Sequence, residues 1–187
     1  VAGHLNSGVT IPASAVYNQA GIPVISGSAT NPKLTEQGFK NVFGVNDGDE
    51  VVAGGLSVDV VHADHGGKRM PWNEHAETIG FIVRGSQSAY YAGDTDLFDG
   101  MAELGPIDVA LLPVWGWGPK LGEGHLNPER AAKAVELIRP RVAVPVHWGG
   151  YLPAGMAQRR PDLLVDPPRQ FRKCVERSNA SATKVEL

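Results

Sequence analysis

Three residues able to hold a metal ion each follow an apolar run. His65 comes after Val60-Val61-His62-Ala63-Asp64, Asp94 after Ala89-Tyr90-Tyr91-Ala92-Gly93, and His147 after Val142-Ala143-Val144-Pro145-Val146. Each stands where a strand should give way to a loop. A lone histidine or aspartate at such a position ordinarily serves a turn or a cap, but side chains at the ends of neighbouring strands share one rim. Imidazoles with a carboxylate suit zinc, with manganese or iron as alternatives, and such a metal raises the acidity of a water that it holds. The chemistry expected of the three together is hydrolysis.

The elements that must position these residues can be read from periodicity. Glu50–Ala53 and Leu56–Ala63 alternate like strands, and Thr78–Arg84, Gly85-Ser86 and Gln87–Ala92 read as a hairpin. Leu97–Leu104 reads as helical, Ile107–Val114 as an apolar strand, Pro128–Ile138 as an amphipathic helix, Val142–His147 as a strand and Pro168–Arg177 as a last helix. Earlier in the chain, Pro12 at a helix start and Gly21 at its end frame one helix, and Ile22–Ser26 follows as a short strand. Strands and helices that alternate in this way indicate a layered α/β fold.

The chain has 187 residues, 42% of them hydrophobic and 20% charged, with a net charge of −3. This composition fits a folded domain rather than a disordered chain, and it offers no basic field for nucleic acid. The single cysteine, Cys174, excludes an internal disulfide framework. No apolar run is long enough to span a membrane and the first residues do not have the pattern of a signal peptide, so the expected location is cytoplasmic. Charge is uneven along the chain. Residues 1–46 carry only Lys33, Glu36 and Lys40, all four tryptophans come later, and Asn46-Asp47-Gly48-Asp49 is a strong turn signal. A boundary is expected there, between residues 1–45 and 46–187.

From Asp47 onward the sequence resembles the C-terminal part of metallo-β-lactamase-fold hydrolases, in the branch of lactonases and phosphodiesterase-type phospholipases. The carriers are Ala63-Asp64-His65-Gly66, Gly93-Asp94-Thr95-Asp96, Ala110-Leu111-Leu112-Pro113-Val114-Trp115, Gly124-His125-Leu126-Asn127-Pro128 and Pro145-Val146-His147-Trp148-Gly149. The resemblance implies His65 as a ligand of a first metal, Asp94 as a carboxylate bridging two, and His147 as a ligand of the second. It implies that His125 lines the pocket, in contact with substrate or leaving group. Asp96 reads equally well as a solvated turn residue, His62 is not matched by the family motif, and His75 falls in a polar loop. The His-x-His-x-Asp-His loop that begins such a site occurs nowhere in the 187 residues. His62-Ala63-Asp64-His65 does not replace it, because His65 already matches the family's later histidine. At most one metal per chain is therefore expected.

Residues 1–45 resemble a fragment of the branched-chain amino-acid-binding proteins of ABC transporters, through Gly3-His4-Leu5-Asn6-Ser7-Gly8, Tyr17-Asn18-Gln19-Ala20-Gly21 and Ile25-Ser26-Gly27-Ser28-Ala29-Thr30-Asn31-Pro32. That likeness implies Ser7, Ser28 and Thr30 as holders of an amino acid's carboxylate and amino groups, and its relatives are periplasmic. The expected fold is thus an incomplete metallo-β-lactamase-like α/β layered fold, preceded by a helix–strand fragment of another family that packs over apolar sheet surface. Three functions compete. One is a metal-dependent hydrolase of an ester, lactone or phosphodiester, acting on a small molecule through Asp94, His65, His147 and His125. The others are an amino-acid-binding module and an inactive composite scaffold. The reading leaves self-association open.

Overall fold

The alternation of Leu56–Ala63 becomes a strand whose two faces enter different cores: Val58 and Val60 point to one, and Val61 packs against the other. The computed structural model describes residues 7–26, 33–65, 78–115, 124–149 and 154–187. In chain order the elements begin with helix α1 (Ser7–Gln19), β1 (Val24–Ser26), the short α2 (Lys33–Glu36) and β2 (Val42–Gly44). Strands β3 (Glu50–Ala53), β4 (Leu56–Ala63), β5 (Thr78–Arg84), β6 (Ser88–Tyr91) and β7 (Val109–Pro113) follow. Then come α3 (Pro128–Ile138), β8 (Val142–Val146), α4 (Met156–Arg159), α5 (Asp166–Glu176) and β9 (Lys184–Val185).

Among the described residues, β3 to β9 form one seven-stranded sheet in sequence order. The pairs from β3 to β6 are antiparallel, and those from β6 to β9 are parallel. Strand direction reverses at β5 and again at β6, so β4, β6, β7 and β8 all run the same way. Their C-terminal ends open on one edge of the sheet, where ligands gather in open α/β sheets. On one face, α3 and α5 bury Ala131, Val135, Phe171 and Val175 against Tyr90, Ala110, Leu112 and Ala143. Helix α3 begins as its sequence dictates. The Asn127 side chain caps it by accepting the Arg130 N–H at 2.8 Å, with Pro128 in the first turn.

The other face carries the first part of the chain. Strands β1 and β2 pair in parallel as a separate two-stranded sheet. Val24, Leu34 and Val42 form a small core with Ile11, Tyr17 and Phe39, while Ile25 and Val45 join Val51, Val58, Val60 and Phe81 of the large sheet. As expected, β1 lies over apolar surface of the large sheet, through Ile25, whereas α1 packs into the small core instead. Two local readings differ. Helix α1 starts at Ser7 and contains Pro12, rather than starting there. The proline removes the N–H that would bond the Gly8 carbonyl, a cost offset here by the packing of Ile11 and Tyr17 with Leu34 and Phe39. The Leu97–Leu104 helix is reduced to a 3-10 turn over Asp99–Glu103, anchored by the fully buried Met101. No helix among the described residues is long and apolar enough to cross a membrane.

Candidate metal centre

Four of the five strands that share a direction deliver their following residues to one place. β4 is followed by His65, β6 by Asp94, β7 by Trp115 and β8 by His147. Asp94 is reached through Gly93 at φ 69°, where a Cβ would lie 2.8 Å from the Ile79 carbonyl oxygen. Only glycine allows the chain to leave β6 so close to β5. His147 itself has φ 58°, in the left-handed region that non-glycine residues rarely occupy. Such strain persists where surrounding structure enforces it, here through the Trp115 contact described next.

The Asp94 carboxylate is the hub. Its Oδ2 lies 3.9 Å from His65 Nε2, 3.7 Å from His125 Nε2 and 3.8 Å from His147 Nε2. The donor atoms of His65, Asp94 and His125 all fall within 4.8 Å of one another. The His65 and His125 rings meet edge to face, with centroids 4.6 Å apart. His65 and His147 have the same internal arrangement: His65 Nδ1 lies 2.8 Å from the Gly124 carbonyl, and His147 Nδ1 lies 2.8 Å from the Trp115 carbonyl. A carbonyl can only accept, so Nδ1 carries the proton in both, and in the neutral form of each ring Nε2 presents its lone pair toward Asp94. Lone pairs facing a carboxylate oxygen beyond hydrogen-bond distance make a set of donors that a cation completes, with the carbonyls as the outer partners that fix the rings. The residues present therefore fit a divalent metal.

Sequence reasoning ranked His125 as a pocket residue, and the structure sets it as near to Asp94 as the two histidines expected to be ligands. Asp96 is not a solvated turn residue. Its side chain is 16% exposed, and Oδ1 accepts Arg130 Nε at 2.6 Å and the Leu97 N–H at 2.7 Å. Thr95, fully buried, also went unremarked. Its Oγ1 accepts the Asp64 N–H at 2.9 Å and donates to the Asp96 carbonyl at 3.0 Å, tying the His65 and Asp94 loops together. The signal for it was its place beside Asp94. His62 is exposed, pairing with Asp47 at 3.9 Å and meeting Phe98 edge to face. Ser7 opens α1, while Ser28, Thr30 and His75 lie outside the described residues.

Beside the centre is a cavity of about 260 Å³ lined by Trp115, Asn127, Pro128, Arg160, Leu163 and Gln170, among others. Trp115 is the residue whose carbonyl holds His147. Arg160 is bound by Asp162 through contacts of 2.7 to 3.1 Å, and this pairing holds the Asp162 carboxyl below its ordinary range.

The chain is similar to proteins described as metal-dependent hydrolases. The chain is 35% identical over 147 residues to the UPF0173 metal-dependent hydrolase MK1542 of Methanopyrus kandleri, covering 75% of this chain and 57% of that protein. It is 38% identical over 146 residues to the UPF0173 metal-dependent hydrolase PYRAB05000 of Pyrococcus abyssi, covering 73% and 56%. The chain thus spans a little over half the length of these curated relatives. Among solved structures, it is similar to Igni18, a metallo hydrolase of Ignicoccus hospitalis, with a TM-score of 0.66 and 28% identity over 94% of this chain and 69% of that one. The metallo-β-lactamase fold protein YhfI of Bacillus subtilis shares the fold, with a TM-score of 0.62 and 14% identity over 95% of this chain and 68% of that one. None of these relatives is an amino-acid-binding protein, and the expected composite chain gains no support from them. A family model for the beta-lactamase superfamily domain matches residues 11–148, a stretch that includes most of α1 as well as β1, β2 and the strand ends that carry His65, Asp94 and His147. The chain belongs to that superfamily and has the α/β metallo-β-lactamase fold.

Proposed function

We propose that the chain serves a metal-dependent hydrolase, with His65, Asp94 and His147 as the metal's protein ligands and His125 facing the substrate. The observation that carries this reading is the pair of imidazoles, each with Nδ1 committed to a backbone carbonyl and Nε2 turned to the same carboxylate oxygen. A bound zinc ion, or manganese or iron in its place, supplies Lewis acidity and makes water acidic enough to act as a nucleophile near neutral pH. Asp94 contributes the negative charge that holds the cation. His65 and His147 keep a fixed tautomer and orientation, so that little reorganisation accompanies binding. His125, 22% exposed and beside the same carboxylate, is placed to hold or give a proton to a leaving oxygen.

The neighbouring cavity supports a small-molecule substrate. Its Arg160 is neutralised by Asp162, which favours an uncharged ester or lactone over a phosphodiester. The test is hydrolysis of a lactone, an aryl ester and a bis-aryl phosphodiester by protein loaded with zinc, beside His125→Ala. The expected result is faster turnover of the neutral substrates, with the variant slower by about 10²- to 10⁴-fold and its metal retained. Zinc-loaded protein with no activity on any of the three would contradict the reading.

A further inference from the structure

The loops that carry the candidate ligands meet away from the metal at one partly buried carboxylate, Asp96. Its Oδ1 accepts Arg130 Nε at 2.6 Å and the Leu97 N–H at 2.7 Å, and its Oδ2 accepts the Gly124 N–H at 3.3 Å. The carbonyl of that same Gly124 accepts His65 Nδ1 at 2.8 Å, and the next residue is His125. Two further bonds close the frame, from the Leu126 N–H to the Thr95 carbonyl at 2.9 Å and from the Asp96 N–H to the Asp64 carbonyl at 2.6 Å. Arg130 belongs to the first turn of α3, whose cap Asn127 follows the same loop. The ion pair thus pins the 124–127 segment between the Asp94 loop and α3. From there, one carbonyl sets the tautomer of His65 and one side chain, His125, faces Asp94.

We propose that Asp96 and Arg130 are positioning residues for the metal centre. They act through Gly124 on His65 and His125, and the inference rests on the reading of that centre as a metal site. Arg130 is 43% exposed, so the pair itself adds little to global stability. Its effect falls on the geometry of the donors. A carbonyl that drifts from His65 Nδ1 releases both the ring's orientation and its tautomer, and losing such an outer partner typically weakens metal affinity by about 10- to 100-fold.

The experiment is titration of the metal-free chain with cobalt(II), followed by calorimetry and by the visible d–d absorption of the bound ion. Arg130→Met keeps the aliphatic stem and removes the charge and donor. Asp96→Asn keeps an acceptor for the Leu97 N–H and removes the charge. Arg84→Met breaks the remote pair of Arg84 with Asp59, at 2.7 Å, and serves as the control. Both site variants should lose about 10- to 100-fold in cobalt affinity with altered d–d bands, and the double variant should be no worse than the poorer single one. The control should match the unaltered protein in affinity and spectrum. Site variants with unchanged affinity and spectrum would overturn the proposal while leaving the metal site in place. So would affinity lost only together with cooperative unfolding, which would make the pair structural. Unaltered protein that binds no cobalt would overturn the metal-site reading itself, and this inference with it.

Discussion

Strands β1 and β2 share no backbone ladder with the seven-stranded sheet, so they depend on side-chain packing to stay on it. Ile25 is the test of that packing, at 8% exposure in the cluster with Val45, Val51, Val58, Val60 and Phe81. Ile25→Ala deletes three carbons, worth about 0.8 kcal/mol each on burial, and the residual cavity brings the expected loss to about 2–4 kcal/mol. In a domain of this size that lowers the melting temperature by roughly 5–12 °C. Val52, in β3 and 70% exposed, is the control, and Val52→Ala should stay within about 0.5 kcal/mol. The assay is urea denaturation followed by tryptophan fluorescence, with metal content measured on the same samples. The apolar cluster of Ile25 contains none of the candidate ligands, so metal bound per folded chain should not change. A loss under about 0.5 kcal/mol would refute the claim that the first part of the chain shares the sheet's core. Deletion of residues 1–45 that leaves folding intact but abolishes metal binding would place a ligand in that segment instead.

Asp108 is held below the ordinary carboxylate range first by the Ser88 backbone N–H and then by Arg141. A depressed folded pKa contributes stability above the unfolded value and loses it as pH falls through the folded one, so Asp108→Asn should flatten the acid side of the stability–pH curve; an unchanged acid limb contradicts this. Arg139 ends α3 with φ 52° and ψ 50°, and Arg139→Gly should stabilise the chain by about 0.5–1 kcal/mol in thermal melts, with a destabilised variant counting against it. Calorimetric titration with leucine or valine should show weak binding or none, and a micromolar dissociation constant, about −8 kcal/mol, would revive the amino-acid-binding alternative.

Much of the sheet was legible because its patterns are local. Glu50–Ala53, Leu56–Ala63 and Pro128–Ile138 have the expected bounds, since alternation, a Gly-Gly turn and an Asn-Pro cap specify them without tertiary help. The strand ends at His65, Asp94 and His147 could be read for the same reason. The convergence of those ends could not, because it depends on which neighbours pair antiparallel and which parallel. The roles of Asp96 and Thr95 were equally hidden, as their partners lie 28 to 34 residues away in sequence. Pro12 misled because a proline is usually a start signal, whereas the packing of α1 on Leu34 and Phe39 carries the helix through it.

The central claim is that one cation is held around Asp94 by this chain's own imidazoles. Metal content of purified protein after zinc loading and desalting, compared between the unaltered chain and Asp94→Ala, tests it most directly. The account predicts one zinc per unaltered chain. It predicts that bound zinc and any metal-dependent hydrolysis are lost together in Asp94→Ala. Two tightly held zinc ions per chain, or an Asp94→Ala protein that keeps its metal and its activity, would contradict it.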